Sequence, residues 1–353
     1  MGSAGGETMI RRPAEPVPPR ARLRTFSHLA GARRVPGDYA VVTSKLLFTD
    51  PARPAEVETP VEEWYARYQR GSPFRLNEGE ADWDCFADPR ATTYSRYVAQ
   101  KARAEAVVGH LLERIESGDY DRQLSPEARS LLASAVSPLR YPWHALQMIA
   151  AYIGQMAPGG RIVVAALFQA GDELRRVQRV AYRTAQLRLR EPSFGDDARA
   201  RWERDPAWQP LREVIERMLV AWDWGEAFAA LNLCLKPLFD PLALGLLAAE
   251  ARARGDYLLG EIFASFDEDA RWHRDWSRAL VAAAIKARPE NGEVLRRFIA
   301  GWLPRCARCA RALADSWLSD RSAPQALARQ YTAFHASLDL PPIDPDALGD
   351  LEQ

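Results

Sequence analysis

Beyond about residue 90, hydrophobic residues recur at helical spacing through most of the chain. In the segment 93–118 they stand three and four positions apart and end at a glycine, which predicts one long amphipathic helix. The Ser-Pro pair at 125–126 supplies a capping side chain and a proline at the first helical position, and predicts a helix to about Val136. The Asp-Pro pair at 205–206 repeats this signature, so we expect a further helix there.

Three segments are apolar almost all round: 141–157, 161–170 and 226–249. Helices of this kind lie in the interior of a large bundle. Signals for strands are scarce, and the best is YAVVTSKLLF at 39–48. The pattern therefore predicts an all-α fold, in which helices of roughly 15 to 30 residues surround two or more buried ones.

The first quarter of the chain has a different character. Residues 1–22 are rich in Pro, Gly and Arg without periodicity, which predicts a tail that is disordered or lies on a partner. Residues 23–90 are irregular, rich in aromatic residues and interrupted by prolines, so we expect an extended arm that needs a large surface to lie on. A helical domain at 91–320 and a C-terminal helix or tail at 321–353 complete the predicted organisation.

Composition narrows the functional classes. Lys plus Arg and Asp plus Glu balance at 47 each, so there is no basic field that would favour nucleic acid. The longest uncharged run, 141–160, contains a proline and ends in Pro-Gly-Gly, which leaves too short an apolar helix to span a membrane. The polar, Pro-rich start lacks the apolar region of a signal peptide. We expect a cytoplasmic protein without a membrane segment.

The four cysteines suggest no disulfide framework. Cys85 and Cys234 stand alone in apolar or aromatic surroundings and are expected in the core. Cys306 and Cys309 form one C-x-x-C, but no second pair or nearby His completes a zinc site. Two thiols on a helix and a metal or redox role both remain open for this pair, the first being the simpler interpretation.

Two short stretches resemble a metal-binding motif with one part exchanged. A diiron site in a four-helix bundle uses Glu-x-x-His on two helices, because residues three apart share a helix face, and one Glu from each of two others. No Glu stands three residues before any of the five histidines. In GDELRR, Glu173 is followed at that spacing by Arg176, which cannot ligate a metal because it keeps its proton. In DARWH, His273 is present and Ala270 replaces the acid.

These stretches have a plain interpretation beside the functional one. Asp172 and Glu173 could form surface ion pairs with Arg176, on a polar helix face that also carries arginines at 175, 179 and 183. His273 could be a structural histidine between two tryptophans rather than a ligand. The Trp-Asp-Trp cluster at 222–224 could line a hydrocarbon pocket or pack in a core or interface.

Several longer stretches resemble the beta subunit of the hydroxylase component of bacterial multicomponent monooxygenases, the soluble diiron enzymes that act on toluene, phenol and alkenes. The toluene type is the most similar. The similarity extends from about residue 24 to about residue 281 and weakens towards the C-terminus. It is carried by RTFSHLAGARRVPGDYAVVTSKLLF, WYARYQRGSPF, DWDCFADPRATTYSRYV, SPLRYPWHALQMIAAYIGQMAP, AWDWGEAFAALNLCLKP and WHRDWSRALV.

The resemblance implies a ferritin-like helical bundle with extra helices, a long N-terminal arm and no active site of its own. The diiron centre would belong to the alpha subunit, and this chain would hold no cofactor. Its counterpart here would be a vestigial site in which a guanidinium replaces the metal's positive charge, formed by Asp172, Glu173, Arg176, Asp269, Ala270 and His273.

The same resemblance implies partners. The complex would contain two copies each of alpha, beta and gamma subunits, with a transient effector protein, and a ferredoxin and reductase that deliver electrons from NADH for the reaction with O2. Large aromatic residues dominate buried interfaces, so we expect the interface at Trp64, Tyr65, Trp83, Phe86, Tyr94 and Tyr97. The alternatives are an independent diiron oxygenase with an unusual ligand set and a free-standing helical adaptor.

Overall fold

The fold is all-α, as the sequence pattern predicts. A computed structural model describes residues 37–44, 60–77, 82–117 and 119–352, and no strand occurs in these ranges. The α-helices are α1 Asp38–Thr43, α2 Pro60–Gly71, α3 Tyr94–Ser117, α4 Tyr120–Gln123, α5 Pro126–Leu131, α6 Arg140–Met156, α7 Gly160–Arg188, α8 Ala198–Arg204, α9 Gln209–Leu219, α10 Trp224–Phe228, α11 Lys236–Asp240, α12 Leu247–Ala253, α13 Tyr257–Ala287, α14 Glu290–Trp317, α15 Ala323–Ala336 and α16 Gly349–Glu352.

Helices α10, α11 and α12 form one continuous helix, Trp224–Ala253, which we call the central helix. Two π-helical stretches, Ala229–Leu235 and Pro241–Leu246, join its three parts. Among the described residues this helix alone is long and apolar enough to cross a membrane, and 83% of its most apolar window is buried inside the protein. The prediction that 226–249 forms an interior helix is therefore confirmed.

Four helices surround the interior. Helix α6 packs along α7, α7 packs against α13, and both α6 and α13 contact the central helix. A Cβ atom at Gly154 would lie only 3.2 Å from the side chain of Leu167, which shows how closely α6 and α7 approach. Helix α3 lies on the outside of α7 and α13, and α14 and α15 cover the central helix. This arrangement is the expected ferritin-like bundle with extra helices.

The described parts of the arm pack on this chain's own bundle. Phe74 is fully buried with its ring centroid 5.1 Å from that of Trp224. Trp83 meets the same tryptophan edge-on at 5.3 Å. The Tyr65 hydroxyl donates to the carbonyl of Ala157 at 2.9 Å. Much of the aromatic character of the arm is therefore satisfied within the chain. Residues 1–36, which include the predicted tail, lie outside the described ranges.

Three local predictions have clear outcomes. Ser125 caps its helix as expected, since its Oγ accepts from the Ala128 amide at 3.0 Å. The strand signal at 39–48 corresponds to no strand over its first part, because Asp38–Thr43 is helical, and 45–48 lie outside the described residues. The helix predicted at 205 is also misplaced: Asp205 accepts from the Ala207 amide, which closes a turn, and α9 begins at Gln209.

The burial of the cysteines agrees with the prediction except at Cys85. Cys234 is buried as predicted, but Cys85 is exposed, because its short 3₁₀ turn directs Trp83 and Phe86 inwards instead. Cys306 and Cys309 are free thiols buried on α14. Burial raises the pKa of Cys309 to about 12, so the thiol stays protonated. The geometry therefore supports the simpler interpretation of Cys306 and Cys309, as two buried thiols on a helix.

Candidate functional site

The six positions of the predicted vestigial site meet inside the four-helix bundle. Asp172, Glu173 and Arg176 point inwards from α7, and all three are 0% exposed. Across from them α13 contributes Asp269, Ala270 and His273, all of which are buried. The interpretation as surface ion pairs is therefore wrong, because the acids and the guanidinium have no access to water.

Arg176 occupies the centre of this cluster. Its Nη1 lies 3.0 Å from Glu173 Oε2 and 3.0 Å from Asp240 Oδ1, and its Nη2 donates to the Phe266 carbonyl at 3.2 Å. Its guanidinium also stands 5.9 Å from the Trp143 ring centroid. Burial alone would lower the pKa of Arg176, but the charges of Glu173 and Asp240 outweigh it and raise that pKa above its usual value. The arginine is a fixed cation.

The central helix adds a second buried cation that the sequence reasoning missed. Lys236 is 2% exposed, and its Nζ lies 2.5 Å from Glu173 Oε1 and 2.9 Å from Asp240 Oδ2. With Arg176 it holds the pKa of Asp240 below the usual range, against the opposing effect of burial. The sequence carries a signal for this pair: a Lys and an Asp four residues apart interrupt the apolar run 226–249.

His273 is held as a neutral ring. Its Nε2 lies 3.1 Å from Asp172 Oδ2, and its Nδ1 lies 4.0 Å from Glu173 Oε1. Burial, and then the charges of Lys236 and Arg176, lower the pKa of His273 well below its usual value. Because an ionised carboxylate only accepts hydrogen bonds, the neutral ring donates from Nε2 to Asp172.

The network continues outwards to α3. Lys101 Nζ lies 2.6 Å from Asp172 Oδ1 and also pairs with Asp269. The Tyr97 hydroxyl donates to the same Asp172 oxygen at 2.9 Å. Arg175 bridges Asp269, at 2.8 Å, and Glu105, at 2.6 Å. The Lys101 and Glu105 side chains are 18% and 28% exposed, so the network reaches the surface along the seam between α3 and α7.

The cluster is balanced in charge. The carboxylates are Glu105, Asp172, Glu173, Asp240 and Asp269, and the cations that pair with them are Lys101, Arg175, Arg176, Arg179 and Lys236, five of each sign. With His273 neutral, the formal sum is zero. Each carboxylate already pairs with at least one protein cation, so no charge is left for a metal to neutralise.

These residues do not fit a diiron centre. Arg and Lys side chains keep their protons and point at the carboxylate oxygens that a metal would need. Ala270 offers no ligand at the position where the motif has an acid. Within the described ranges, no group of three or more His, Cys, Asp and Glu residues is placed to hold a metal ion. The arrangement is one of ion pairs, and it ties α3, α7, α13 and the central helix together.

The residues predicted for the interface fall into two groups. Tyr65, Trp83 and Phe86 are at most 8% exposed, and Tyr97 stacks on Phe168 with ring centroids 4.3 Å apart, so this chain covers most of their surface itself. Trp64 and Tyr94 are 39% and 74% exposed, and their burial by a partner stays a prediction.

The Trp-Asp-Trp cluster at 222–224 also divides. Trp224 is fully buried and packs in the core, which supports the packing interpretation for this residue. Trp222 is 65% exposed and lies edge-on to the rings of Trp64 and Tyr68. Asp223 caps the start of α10 by accepting from the Glu226 amide at 2.9 Å. The three residues therefore form no common pocket.

The fold is that of a ferritin-like helical bundle, with a buried network of ion pairs that joins four of its helices. Residues 64–288 match the family model described as Methane/Phenol/Alkene Hydroxylase. The chain belongs to this family, and the resemblance seen in the sequence is confirmed.

Sequence identity to two members of the family can be compared. The chain is 36% identical to the toluene-4-monooxygenase system hydroxylase component subunit beta of Ectopseudomonas mendocina, over 90% of this chain and 97% of the relative. It is 26% identical to the phenol 2-monooxygenase oxygenase component DmpL of Pseudomonas sp. (strain CF600), over 71% of this chain and 76% of the relative.

The fold also matches those of two solved hydroxylase structures. A chain of toluene 4-monooxygenase with toluene bound in its resting active site superposes with a TM-score of 0.76 at 35% identity, covering 84% of this chain and 98% of that one. A chain of the xenon-pressurised phenol hydroxylase from Pseudomonas sp. OX1 superposes with a TM-score of 0.79, covering 95% and 99%. Its identity is 18%, so this second match supports the fold alone.

Proposed function

We propose that this chain is the non-catalytic beta subunit of a hydroxylase component that oxidises toluene-like aromatic hydrocarbons. The observation that carries the proposal is the buried network, in which arginine and lysine side chains stand against the carboxylates of a bundle that belongs to the hydroxylase family. The toluene-type substrate is inferred from the 36% identical relative.

In this proposal the chain acts by assembly in the cytoplasm. It joins two copies each of an alpha and a gamma subunit as one of two beta subunits. The alpha subunit carries the diiron centre and inserts one oxygen of O2 into the hydrocarbon. A small effector protein docks transiently, and a ferredoxin and a reductase supply electrons from NADH. No residue of this chain is assigned a catalytic role.

The buried network would then serve the shape of the bundle. Its ion pairs join four helices at the level where a catalytic relative would hold metal, and removing one partner leaves a buried charge uncompensated. Such a network tolerates little change in helix register. The two alternatives are less well supported, because the ion pairs occupy the carboxylates that an independent diiron oxygenase needs, and family membership argues against an unrelated adaptor.

The test is reconstitution of the system. The chain is co-expressed with its alpha and gamma subunits, and iron per chain and toluene hydroxylation with NADH, ferredoxin, reductase and effector are measured, with and without this chain. We expect iron to follow the alpha subunit and activity to require the full complex. Stoichiometric iron in the purified chain alone, or full activity without it, would contradict the proposal.

A further inference from the structure

One face of the bundle exposes apolar side chains along three neighbouring helices. Helix α7 exposes Leu167, Leu174 and Gln178, flanked by Val98 and Ala102 on α3 and by Met148 on α6. We call these six residues the trough. Val98, Met148, Leu167 and Leu174 are between 39% and 48% exposed, which is high for large apolar side chains.

The contacts of α7 place the trough between α3 and α6. On one side, Arg175 and Arg179 reach α3 at Glu105. On the other side, α7 packs closely on α6. The carbonyl oxygen of Val163 on α7 lies only 3.3 Å from the position that a Cβ atom at Gly154 of α6 would occupy. Leu167, Leu174 and Gln178 are spaced at i, i+7 and i+11, so they form one stripe on the arc between these two contacts.

The trough carries no formal charge. None of its six residues is Lys, Arg, Asp or Glu. The neighbouring exposed positions Ala106, His144 and Ala181 carry no carboxylate, ammonium or guanidinium group either. An outer helix of the same protein looks different: α14 exposes Glu293, Arg296, Arg297, Arg305 and Arg308. Depletion of charge together with enrichment in Met and large apolar residues marks the core of a subunit interface rather than ordinary solvated surface.

We infer that the trough is the surface on which the diiron-carrying alpha subunit docks, through an uncharged helical face of its own. This inference rests on the proposed function and adds the place of contact. The occupant must lack charge, because a charged partner would lose its hydration against this surface without a counter-ion. A stable interface buries about 800 Å² per partner, so the contact must extend beyond these six side chains along α3, α6 and α7.

Docking there would also complete the burial of the ion network. Lys101, Glu105 and Arg179 are its partly exposed members, and they lie along the α3–α7 seam at the edge of the trough. A partner seated on α3 and α7 would exclude water from these pairs and strengthen them. The position of the network beneath this face gives the alpha subunit a rigid surface to bind.

The first test places a charge in the trough. Leu174→Glu and Ala102→Glu, each in the full chain co-expressed with alpha and gamma subunits, should weaken the affinity for the alpha subunit about 100-fold or more, since each buries an unpaired carboxylate. Ala300→Glu is the matched control, because Ala300 is an exposed alanine on α14, and its affinity should equal that of the unsubstituted chain. Circular dichroism checks that each variant is folded.

The second test needs no substitution. Hydroxyl-radical footprinting compares Met148 and Leu174 in the free chain and in the complex, with Tyr257 as an internal reference because it is 60% exposed on α13. We expect the complex to protect Met148 and Leu174 and not Tyr257.

Unchanged affinity in both trough variants, or no protection of the trough in a complex that does form, would overturn the inference and leave the proposed function intact. Protection that also occurs in a dimer of the isolated chain, and is lost with Leu174→Glu while alpha binding persists, would assign the trough to a second copy and overturn it too. Failure of the unsubstituted chain to bind any alpha subunit would instead refute the proposed function.

Discussion

Replacing Arg176 by His tests the interpretation of the buried network most directly. The substitution creates Glu-x-x-His on α7, yet we expect no diiron centre, because one such motif supplies two of the six ligands and Ala270 still lacks an acid. What the substitution removes is a permanent cation between Glu173 and Asp240, both of which lie 3.0 Å from its Nη1.

The magnitude follows from burial. Arg176, Glu173 and Asp240 are at most 1% exposed, so water cannot replace the lost hydrogen bonds. A histidine in this place would be neutral near pH 7, as His273 is, because burial and Lys236 disfavour its charged form. Breaking a buried ion pair in this way costs about 3 to 5 kcal/mol. Lys236 still contacts both acids, so we expect the variant to fold with reduced stability rather than to remain unfolded.

The assay is denaturant unfolding of the assembled complex, together with its iron content. The chain provides a matched control, since Arg296 and Glu293 on α14 form an Arg–Glu pair at the same i,i+3 spacing but on the surface. Arg296→His should leave the free energy of unfolding unchanged. An Arg176→His variant as stable as the Arg296→His control would refute the argument from burial. A gain of two irons per chain would refute the conclusion that these residues cannot hold a diiron centre.

Three further predictions concern stability. His273 stays neutral when folded but gains a proton near pH 6.5 when unfolded, so urea titrations should show stability falling as the pH drops from 7.5 to 5.5, and His273→Gln should reduce this slope. Gly225→Ala places a Cβ 2.5 Å from Phe74 Cβ and should cost about 1 to 3 kcal/mol in denaturant unfolding, whereas Gly301→Ala meets nothing within 4 Å and should cost none. Trp83→Ala should reduce the free energy of unfolding of the chain alone by about 3 to 5 kcal/mol, because Trp83 packs on Trp224, and this loss should appear as a lower melting temperature. An unchanged melting temperature would contradict this and favour the earlier prediction that Trp83 lies in the partner interface.

The sequence predicts the bundle well because its helices follow local rules. Period, caps and apolar runs are properties of neighbouring residues, and they correctly indicate α3, α6 and the central helix. The exceptions are local ambiguities. The Asp-Pro pair at 205–206 opens a turn as readily as a helix, and the apolar run at 39–42 is short enough to fit either a strand or α1.

The candidate site could be predicted only in part. The comparison with Glu-x-x-His brings out α7 and α13, but it cannot reveal that Lys101 and Lys236 complete the charge balance, because those pairs join residues 71 and 63 positions apart along the chain. The arm shows the same limit. A cluster of aromatics reports that apolar surface must be buried, and the structure assigns much of that burial to the bundle of the same chain.

Charge balance predicts that single substitutions will not create a metal site in this cluster. Arg176→His alone leaves the cluster with five carboxylates and four cations, and adding Ala270→Glu would make it six and four. Lys236 would still occupy Glu173 and Asp240, so two excess negative charges would be buried before any metal could bind. Each step therefore destabilises the bundle through an uncompensated charge. The ion pairs hold the four helices in place and, by the same pairing, oppose the binding of a metal ion in this cluster.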